Sequence, residues 1–366
     1  MKLECVKERL SQQLSKIDKI PAKNANLPIL SCILLSAHKG ELVLRATNLD
    51  VGVEISLPAH VEKEGSVAIP AQMFSSFISQ LKGDKTIHLE AVDGNVKVSC
   101  GGVVSVIKGL APDDFPVIPE IDSVNTTTIN PESFVKGILS VSFAASQSQV
   151  KPELASTYIY SVDDSLIFVS TDSFRLAEKK VKVKNAPDFN PVIIPAKNIA
   201  DIARSLTGVD EDIKVSFDKN QIQFRSSALV FVSRVIEATF PNYAQIIPKE
   251  HSTEAVVLKS EFIEALKTSS IFSDKFNQIK VLVKPSEKTF EAQVKNGDVG
   301  EIISKIHASL SGESVELSFN QRYITDAMSS IGSDSLTLSF VGQNKPLVIR
   351  GVGDRSFLYL VMPMNK

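Results

Sequence analysis

Cysteine and histidine are scarce in this chain, and the few that occur form no pattern. Cys5, Cys32 and Cys100 are odd in number, all fall within the first 100 residues and have no metal-ligand spacing. Cys32 lies inside the apolar run Leu30–Leu35, which is typical of a buried strand. These facts exclude a disulfide framework and a zinc site, so we expect inert core thiols in a reducing cytoplasm.

Long apolar runs and an excess of one charge are also missing. No run reaches the roughly 18–20 apolar residues that a membrane span needs, and the start lacks the apolar region of a signal peptide. We therefore predict a cytoplasmic protein. The net charge of −2 argues against binding nucleic acid by bulk electrostatic attraction, for which a basic domain is expected.

The motifs of common catalytic sites do not occur. The histidines are dispersed, and there is no nucleophile elbow, zinc-protease helix motif or phosphate-binding loop. Gly351–Ser356 resembles part of a dinucleotide fingerprint, but it lies between the predicted strands Leu347–Arg350 and Phe357–Val361, so a hairpin turn is the better interpretation. We expect no catalytic residue, no cofactor and no metal, and predict that the chain is not an enzyme.

What the sequence does contain is a weak threefold repeat with a period of about 122 residues. Pro70–Gly83 matches Pro195–Gly208, and Phe319–Gly332 keeps the apolar spacing and the final glycine. The first two copies also end alike, in Asp114–Pro119 and Thr239–Tyr243. The repeat predicts three domains of about 120 residues each.

Each repeat is predicted to open with an amphipathic helix, and Asn130 and Ser260 are the expected N-caps of the second and third. The apolar stripe of the first helix begins at Val6. Short strands and turns follow, including an Asp93-Gly94 hairpin. We predict an α+β fold of helices packed on antiparallel sheets. The opening helices are predicted at Val6–Ile17, Asn130–Leu139 and Lys259–Leu266.

The C-terminus is apolar nearly to its last residue, whereas most termini are polar. One interpretation is a final core strand. The other is a strand that ends at Val361, after which Met362–Met364 forms one wall of an apolar groove, because methionine adapts to varied partners. The residues alone leave both open.

Several segments together resemble the family of the bacterial DNA polymerase III beta subunit, the replicative sliding clamp. They occur in the family's order and spacing, and they are Leu27–Leu30, Thr47–Asp50, Ser170–Leu176, Phe240–Tyr243 and Val361–Met364. The resemblance implies three similar clamp domains, at residues 1–122, 123–250 and 251–366, each with two helices packed on antiparallel sheets. It also implies that two chains close head to tail into a dimeric ring around duplex DNA.

The resemblance further implies a groove that holds short peptides of partner proteins. By matched position its residues are Leu154, Thr171, Ser173, Phe174, Arg175, Leu176, Pro241, Ile246, Val361, Met362, Pro363 and Met364. We expect the aliphatic members to form an apolar trough, with Thr171 and Arg175 as polar anchors at its rim. The chain departs from the family where Gly-His is replaced by Ser173-Phe174, and a basic residue common near Gln245 is missing.

Two further sets of residues are expected from the same resemblance. The predicted DNA contacts are Lys23, Asn24, Gln149, Lys151, Lys197 and Arg204. The predicted dimer contacts are Ile107 in the first domain and Ile271 and Phe272 in the third. The segment Gly101–Ile107 offers no arginine, so we expect a mainly apolar seam. The predicted helices carry a mild excess of basic residues, which suits a ring that holds DNA by enclosure rather than by tight contact.

The favoured function is a DNA sliding clamp, a non-catalytic processivity factor that tethers the replicative polymerase to DNA. Its expected partners are duplex DNA, a second copy of the chain, the polymerase catalytic subunit, the clamp loader, and other polymerases and repair proteins. Tethering raises the effective concentration of the polymerase on DNA. The alternative is a monomeric three-domain scaffold that binds peptides in the same groove without DNA. An enzyme is the third possibility and lacks any supporting motif.

Overall fold

The computed structural model of the protein describes residues 1–22, 27–83, 85–121, 126–183 and 190–364. These residues form six α-helices and 26 strands. The helices are α1 (Lys7–Ile17), α2 (Ala71–Gln80), α3 (Pro131–Ser142), α4 (Ala196–Leu206), α5 (Lys259–Ser270) and α6 (Gln321–Ala327). Short 3-10 turns lie at Pro28–Ser31, Tyr243–Ile246, Pro285–Glu287 and Met328–Ser330.

In the described residues, each repeat has one strand before its first helix and three after its second, and five, four and five strands lie between the two helices of the first, second and third repeats. In the first repeat they are β1 (Lys2–Val6), β2 (Cys32–His38), β3 (Glu41–Thr47), β4 (Val51–Pro58), β5 (His60–Lys63), β6 (Gly65–Pro70), β7 (Thr86–Val92), β8 (Asn95–Cys100) and β9 (Val103–Ile107). In the second they are β10 (Thr126–Ile129), β11 (Ser156–Val162), β12 (Ser165–Thr171), β13 (Arg175–Lys182), β14 (Val192–Pro195), β15 (Ile213–Phe217), β16 (Gln221–Arg225) and β17 (Leu229–Arg234). In the third they are β18 (Thr253–Leu258), β19 (Gln278–Lys284), β20 (Thr289–Asn296), β21 (Gly300–Lys305), β22 (Ala308–Gly312), β23 (Val315–Asn320), β24 (Ser335–Phe340), β25 (Leu347–Gly351) and β26 (Phe357–Val361).

Each repeat opens with a strand rather than with a helix, so that detail of the prediction is wrong. The strands β1, β10 and β18 precede α1, α3 and α5. Val6 is the last residue of β1 and is largely exposed, whereas the buried face of α1 consists of Leu10, Leu14 and Ile17. The alternation of polar and apolar residues in Lys2–Val6 matches the alternating burial of β1, so this strand carried a sequence signal that the prediction did not use.

The local signals at the helix ends had mixed outcomes. The side chain of Asn130 accepts a hydrogen bond from the amide of Ser133 at 3.0 Å, which confirms the predicted cap of α3. The predicted cap at Ser260 is wrong, because α5 begins at Lys259 and the capping position is Leu258, which has no side-chain acceptor. The Asp93-Gly94 hairpin is confirmed, since both residues have positive φ and join β7 to β8.

The chain divides into two compact units that cut through the middle repeat. Unit 1 comprises residues 1–135 and 197–237. It contains a five-stranded sheet in the order β5-β1-β7-β8-β9 and an eight-stranded sheet in the order β10-β15-β16-β17-β4-β3-β2-β6. All the strand pairs are antiparallel, and the β4–β17 pair joins strands of the first and second repeats. The ring of Phe224 lies 5.1 Å from that of Phe134 and 6.3 Å from that of Phe231 in the core.

Unit 2 comprises residues 136–196 and 238–366. Its nine-stranded sheet has the order β14-β11-β12-β13-β26-β25-β24-β18-β22, and its four-stranded sheet the order β21-β20-β19-β23. The glycine at 137 lets α3 lie directly on this unit's core, because a Cβ there would lie 2.4 Å from the Phe168 ring. The hairpin predicted between β25 and β26 is confirmed by the pairing of Leu347 with Val361.

Cys5, Cys32 and Cys100 are all buried. Burial raises the pKa of Cys5 to about 12, so this thiol stays protonated and unreactive near neutral pH. The α+β class with antiparallel sheets is confirmed.

Candidate functional site

The predicted groove residues all lie in unit 2, and a tight turn between β12 and β13 organises them. The hydroxyl of Thr171 donates to the carbonyl of Arg175 at 2.7 Å, and the carboxylate of Asp172 accepts from the amides of Phe174 and Arg175 at 2.9 Å each. Ser173 has φ +78°, a left-handed conformation that glycine adopts most easily. The turn therefore projects Phe174, which is 60% exposed, away from the sheet.

Arg175 follows this turn and is buried rather than placed at a rim. Its side chain is 7% exposed and pairs with Asp172 at 2.9 Å and with Asp326 on α6 at 2.6 Å. The guanidinium also lies 4.5 Å from the centre of the Tyr323 ring. Arg175 and Thr171 are both buried, so their predicted placement at a rim is wrong, and their contact with a ligand remains a prediction. The buried cation instead ties the turn to α6.

The C-terminal tail lies directly against the turn. The strand β26 ends at Val361, and the next amide, that of Met362, donates to the carbonyl of Phe174 at 2.8 Å. The amide of Met364 donates to the carbonyl of Ser318 at 2.7 Å. Residues 362–364 are half-buried, whereas Val361 is fully buried. The tail therefore runs along the surface after Val361 and does not fill the core.

The segment Phe240–Ile246 is fixed to the same sheet by aromatic and polar contacts. Phe240 stacks on Tyr158 with ring centres 4.8 Å apart. The hydroxyl of Tyr243 donates to the buried carboxylate of Glu178 at 2.7 Å and lies 2.6 Å from the hydroxyl of Tyr160. Burial, together with these hydrogen bonds, raises the pKa of Tyr243 far above its usual range. Pro241 and Ile246, in the same segment, are exposed.

We call the surface formed by the turn Thr171–Leu176, the segment Phe240–Ile246 and the tail Val361–Met364 the tail groove. Its accessible members are Ser173, Phe174, Pro241, Ile246, Met362, Pro363 and Met364. The other predicted members, Leu154, Thr171, Arg175, Leu176 and Val361, are buried and support it from beneath. Flexible thioethers beside an exposed aromatic ring suit an apolar ligand of varied shape.

Three residues that were not predicted as site residues hold this surface together. Glu178 supports Tyr243, and Asp172 and Asp326 support Arg175. Of the three, only Asp172 could have been recognised from the sequence, since an Asp after Thr in a loop commonly caps the following amides. A buried acid such as Glu178, in a strand next to two lysines, has no such signal.

The predicted DNA contacts that the structure describes are divided between the two units. Lys23 and Asn24 lie outside the described residues. Gln149 and Lys151 are exposed in unit 2. In unit 1, Lys197 pairs with Asp50 at 2.6 Å. The guanidinium of Arg204 pairs with Asp201 at 2.9 Å. Their contact with DNA remains a prediction.

The predicted dimer contacts lie at or near two sheet edges, and one of them is placed wrongly. Ile107 is buried and pairs with Val96, whereas Val104 and Val106 on the same edge strand β9 are 61% and 63% exposed. A strand alternates its faces, so the neighbour of Ile107 points the other way. Near the edge strand β21 of unit 2, Ile271 is 71% exposed, and Phe272 is half-buried next to Gly300.

Within the described residues, no group of three or more His, Cys, Asp or Glu side chains could hold a metal ion. None of the helices in the described part of the chain has both the length and the apolar character to cross a membrane.

Comparison with known proteins accounts for this architecture. Family models of the DNA polymerase III beta subunit match in succession: its N-terminal domain over residues 1–119, its central domain over residues 128–242 and its C-terminal domain over residues 244–365. The beta sliding clamp of Synechococcus elongatus is 28% identical over 375 residues, covering 100% of this chain and 99% of that protein. The beta sliding clamp of Staphylococcus aureus is 26% identical over 363 residues and 96% of each chain.

Solved structures agree in fold. The DNA polymerase III beta subunit of Thermotoga maritima superposes with a TM-score of 0.94 at 24% identity, covering 100% of this chain and 99% of that one. The subunit from Pseudomonas aeruginosa gives 0.93 at 23% identity and covers 100% of both chains. At such identities the likeness shows the fold alone.

The repeated helix-and-sheet plan and the successive domain matches define a DNA clamp. The chain belongs to the DNA polymerase III beta subunit family. This is a family of sliding clamps, which are non-catalytic, so the predictions of a sliding clamp and of a protein that is not an enzyme are confirmed. Membership implies DNA and a DNA polymerase as partners.

Proposed function

We propose that two copies of this chain close into a ring around duplex DNA, in the cytoplasm, and that the tail groove of each copy binds short peptides of the polymerase, the clamp loader and repair proteins. One observation carries the groove assignment. The C-terminal tail forms a hydrogen bond to the turn that carries Phe174 and leaves its methionines half-exposed. An apolar trough beside ordered backbone is the usual form of a peptide site.

Deletion of Met362–Lys366 tests the groove. The deletion removes the methionines and two backbone hydrogen bonds, but the strand β26 up to Val361 remains. We expect a fluorescein-labelled peptide from the polymerase, rich in Gln, Leu and Phe, to lose its binding in fluorescence anisotropy. The melting temperature should stay within a few degrees of the intact chain.

A pair of point variants sharpens this test. Phe174→Ala should weaken binding of the peptide by about tenfold, because one exposed aromatic contact is removed. Val162→Ala, at another exposed apolar residue of unit 2, should leave binding unchanged. Peptide binding that survives the deletion, or a large loss of thermal stability on deletion, contradicts the groove.

The ring is supported by two sheet edges that carry exposed apolar side chains. Strand β9 ends the five-stranded sheet of unit 1 and exposes Val104 and Val106, and β21 ends the four-stranded sheet of unit 2 and exposes Ile303. Free edges of this kind tend to pair. Pairing β9 of one copy with β21 of the other, twice, gives two identical interfaces about one two-fold axis.

Apolar truncation tests this seam. We expect Ile271→Ala combined with Phe272→Ala, or Val106→Asp alone, to give folded monomers in sedimentation at low micromolar concentration. Val150→Asp, at an exposed valine outside β9 and β21, is the matched control and should remain dimeric. Dimers of both seam variants would place the interface elsewhere.

The proposed DNA contacts are expected to be weak, because the ring holds DNA by enclosing it. A ring that encircles DNA needs only weak phosphate contacts, and such contacts weaken steeply with salt. Neutralising Lys23, Lys151 and Lys197 together should reduce retention on closed circular DNA and leave the dimer intact. Unchanged retention would mean that these lysines are merely solvated.

A further inference from the structure

Unit 1 contains a cavity of about 270 Å³ beside the turn between β3 and β4. We call it the linker groove, because the segment Pro116–Pro119 that leaves the first repeat forms one of its walls. The turn residues Leu49–Gly52 form the second wall. Thr47, Gln221, Val232 and Arg234 complete the lining.

The linker groove has the same backbone hydrogen bonds as the tail groove. Thr47 donates to the carbonyl of Val51 at 2.8 Å, and the side chain of Asn48 accepts from the amides of Asp50 and Val51 at 3.0 and 2.8 Å. The amide of Arg234, one residue past Ser233 of the paired strand, donates to the carbonyl of Asp50 at 2.8 Å.

In the tail groove the corresponding donor is Met362, whose amide bonds to the carbonyl of Phe174 at the same distance of 2.8 Å. Arg234 therefore occupies the position in unit 1 that Met362 occupies in unit 2. The two sites share a framework and differ in charge.

The charges of the linker groove favour an anion. The carboxylate of Asp50 is already paired with the ammonium of Lys197 at 2.6 Å. Arg234 is exposed, and among the described residues no carboxylate forms an ion pair with it. The guanidinium therefore keeps its full capacity to bind a carboxylate with two parallel hydrogen bonds.

The walls of the linker groove are apolar. Leu49 is 53% exposed and Val117 is 91% exposed. The side chain of Ile118 packs against the backbone of Gly52, where a Cβ would come within 3.0 Å of it. The absence of a side chain at Gly52 thus lets the linker settle on the sheet while Leu49 and Val117 stay free.

We propose that the linker groove is a second docking site, which takes a short extended peptide with a carboxylate next to an aliphatic side chain. The carboxylate pairs with Arg234, and the aliphatic side chain packs between Leu49 and Val117. The tail groove, with Met362 in place of the arginine, does not select for the carboxylate.

The probes are two synthetic peptides, acetyl-Gly-photoleucine-Asp-Gly-amide and the same peptide with Asn in place of Asp. The intact full-length protein is irradiated with each peptide, and the crosslinked residues are identified by mass spectrometry. We expect the Asp peptide to label residues 49–52 and 116–119. Labelling should fall about tenfold with the Asn peptide and about tenfold with Arg234→Met, because a charge-assisted hydrogen bond is lost.

Arg225→Met is the matched control, since Arg225 is another strand arginine of unit 1 but is paired with Glu120. The Asp peptide should label the Arg225→Met variant to the same extent as the intact protein. The Asn peptide tests the same contact in unaltered protein, so the result does not depend on the folding of Arg234→Met.

The proposal is overturned if the Asp peptide does not label residues 49–52 or 116–119, or if the Asn peptide labels them equally. Labelling of residues 361–364 reports on the tail groove alone. Labelling confined to that region would therefore reject the second site and leave the proposed function intact.

Discussion

The turns Thr47–Val51 in unit 1 and Thr171–Arg175 in unit 2 have the same hydrogen bonds and different side chains. In each, a threonine hydroxyl donates to the carbonyl four residues on, and an Asn or Asp side chain accepts from two amides. The last residue is a buried valine in one and a buried arginine in the other. The first two positions therefore fix the backbone, and the later ones are free to differ in chemistry.

The largest difference between the two turns is the charge of Arg175. We expect Arg175→Met to lower the free energy of unfolding of unit 2 by about 2–4 kcal/mol, because Asp172 loses its buried partner. This loss is smaller than that expected for a fully buried ion pair, since the side chain of Asp326 is half exposed. Guanidinium denaturation followed by circular dichroism measures it.

The matched control for this variant is Arg225→Met, which removes an exposed pair and should cost less than about 1 kcal/mol. Equal stability of the two variants would show that the buried cation does not hold the turn to α6.

The second difference lies in the segments after the shared Phe-Pro. Tyr243 hydrogen-bonds to Glu178 in unit 2, whereas Ile118 packs on Gly52 in unit 1. We expect Tyr243→Phe to cost about 1–3 kcal/mol, because a buried acceptor loses its donor. Ile118→Val should cost about 0.5–1.5 kcal/mol at most.

The cost of Tyr243→Phe should also depend on pH. The pKa of Tyr243 is raised in the folded state, so its contribution is fully present below the ordinary tyrosine value of 10.0 and is lost as pH rises above it. The stability gap between the intact chain and the variant should narrow above pH 10. A gap that widens there would contradict the assignment.

The smallest effect concerns the residue at positive φ in each turn, Leu49 at +75° and Ser173 at +78°. Ser173→Gly should stabilise unit 2 by about 0.5 kcal/mol, because relief of left-handed strain exceeds the added chain entropy. Ser173→Ala keeps the Cβ and should give no gain. A thermal melt that ranks Ala above Gly would refute this reading of the turn.

Features that depend on neighbouring residues could be predicted from the sequence. Features that depend on how strands pair with one another could not. The Asn130 cap and the Asp93-Gly94 turn depend only on neighbouring residues, and both were found. Ile107, expected from the resemblance to contact the partner copy, is buried within its own chain, and which residues of β9 point outward is fixed only by pairing with β8.

In the candidate site, too, contacts between residues far apart in the chain could not be predicted from the local sequence. The tail, the turn and the Phe-Pro segment were assembled by resemblance, and the end of β26 at Val361 agrees with that expectation. The burial of Arg175 depends on Asp326, which is 151 residues away in the chain, so the local sequence around Arg175 could not reveal it.

We propose that this clamp works as a closed dimer, and sedimentation velocity at micromolar concentration measures that state. We expect one species of twice the 39.8 kDa chain mass, which Val106→Asp converts to folded chains of single mass. A single species of 39.8 kDa for the intact protein, still able to bind the polymerase peptide, would contradict the ring and favour a monomeric peptide-binding scaffold.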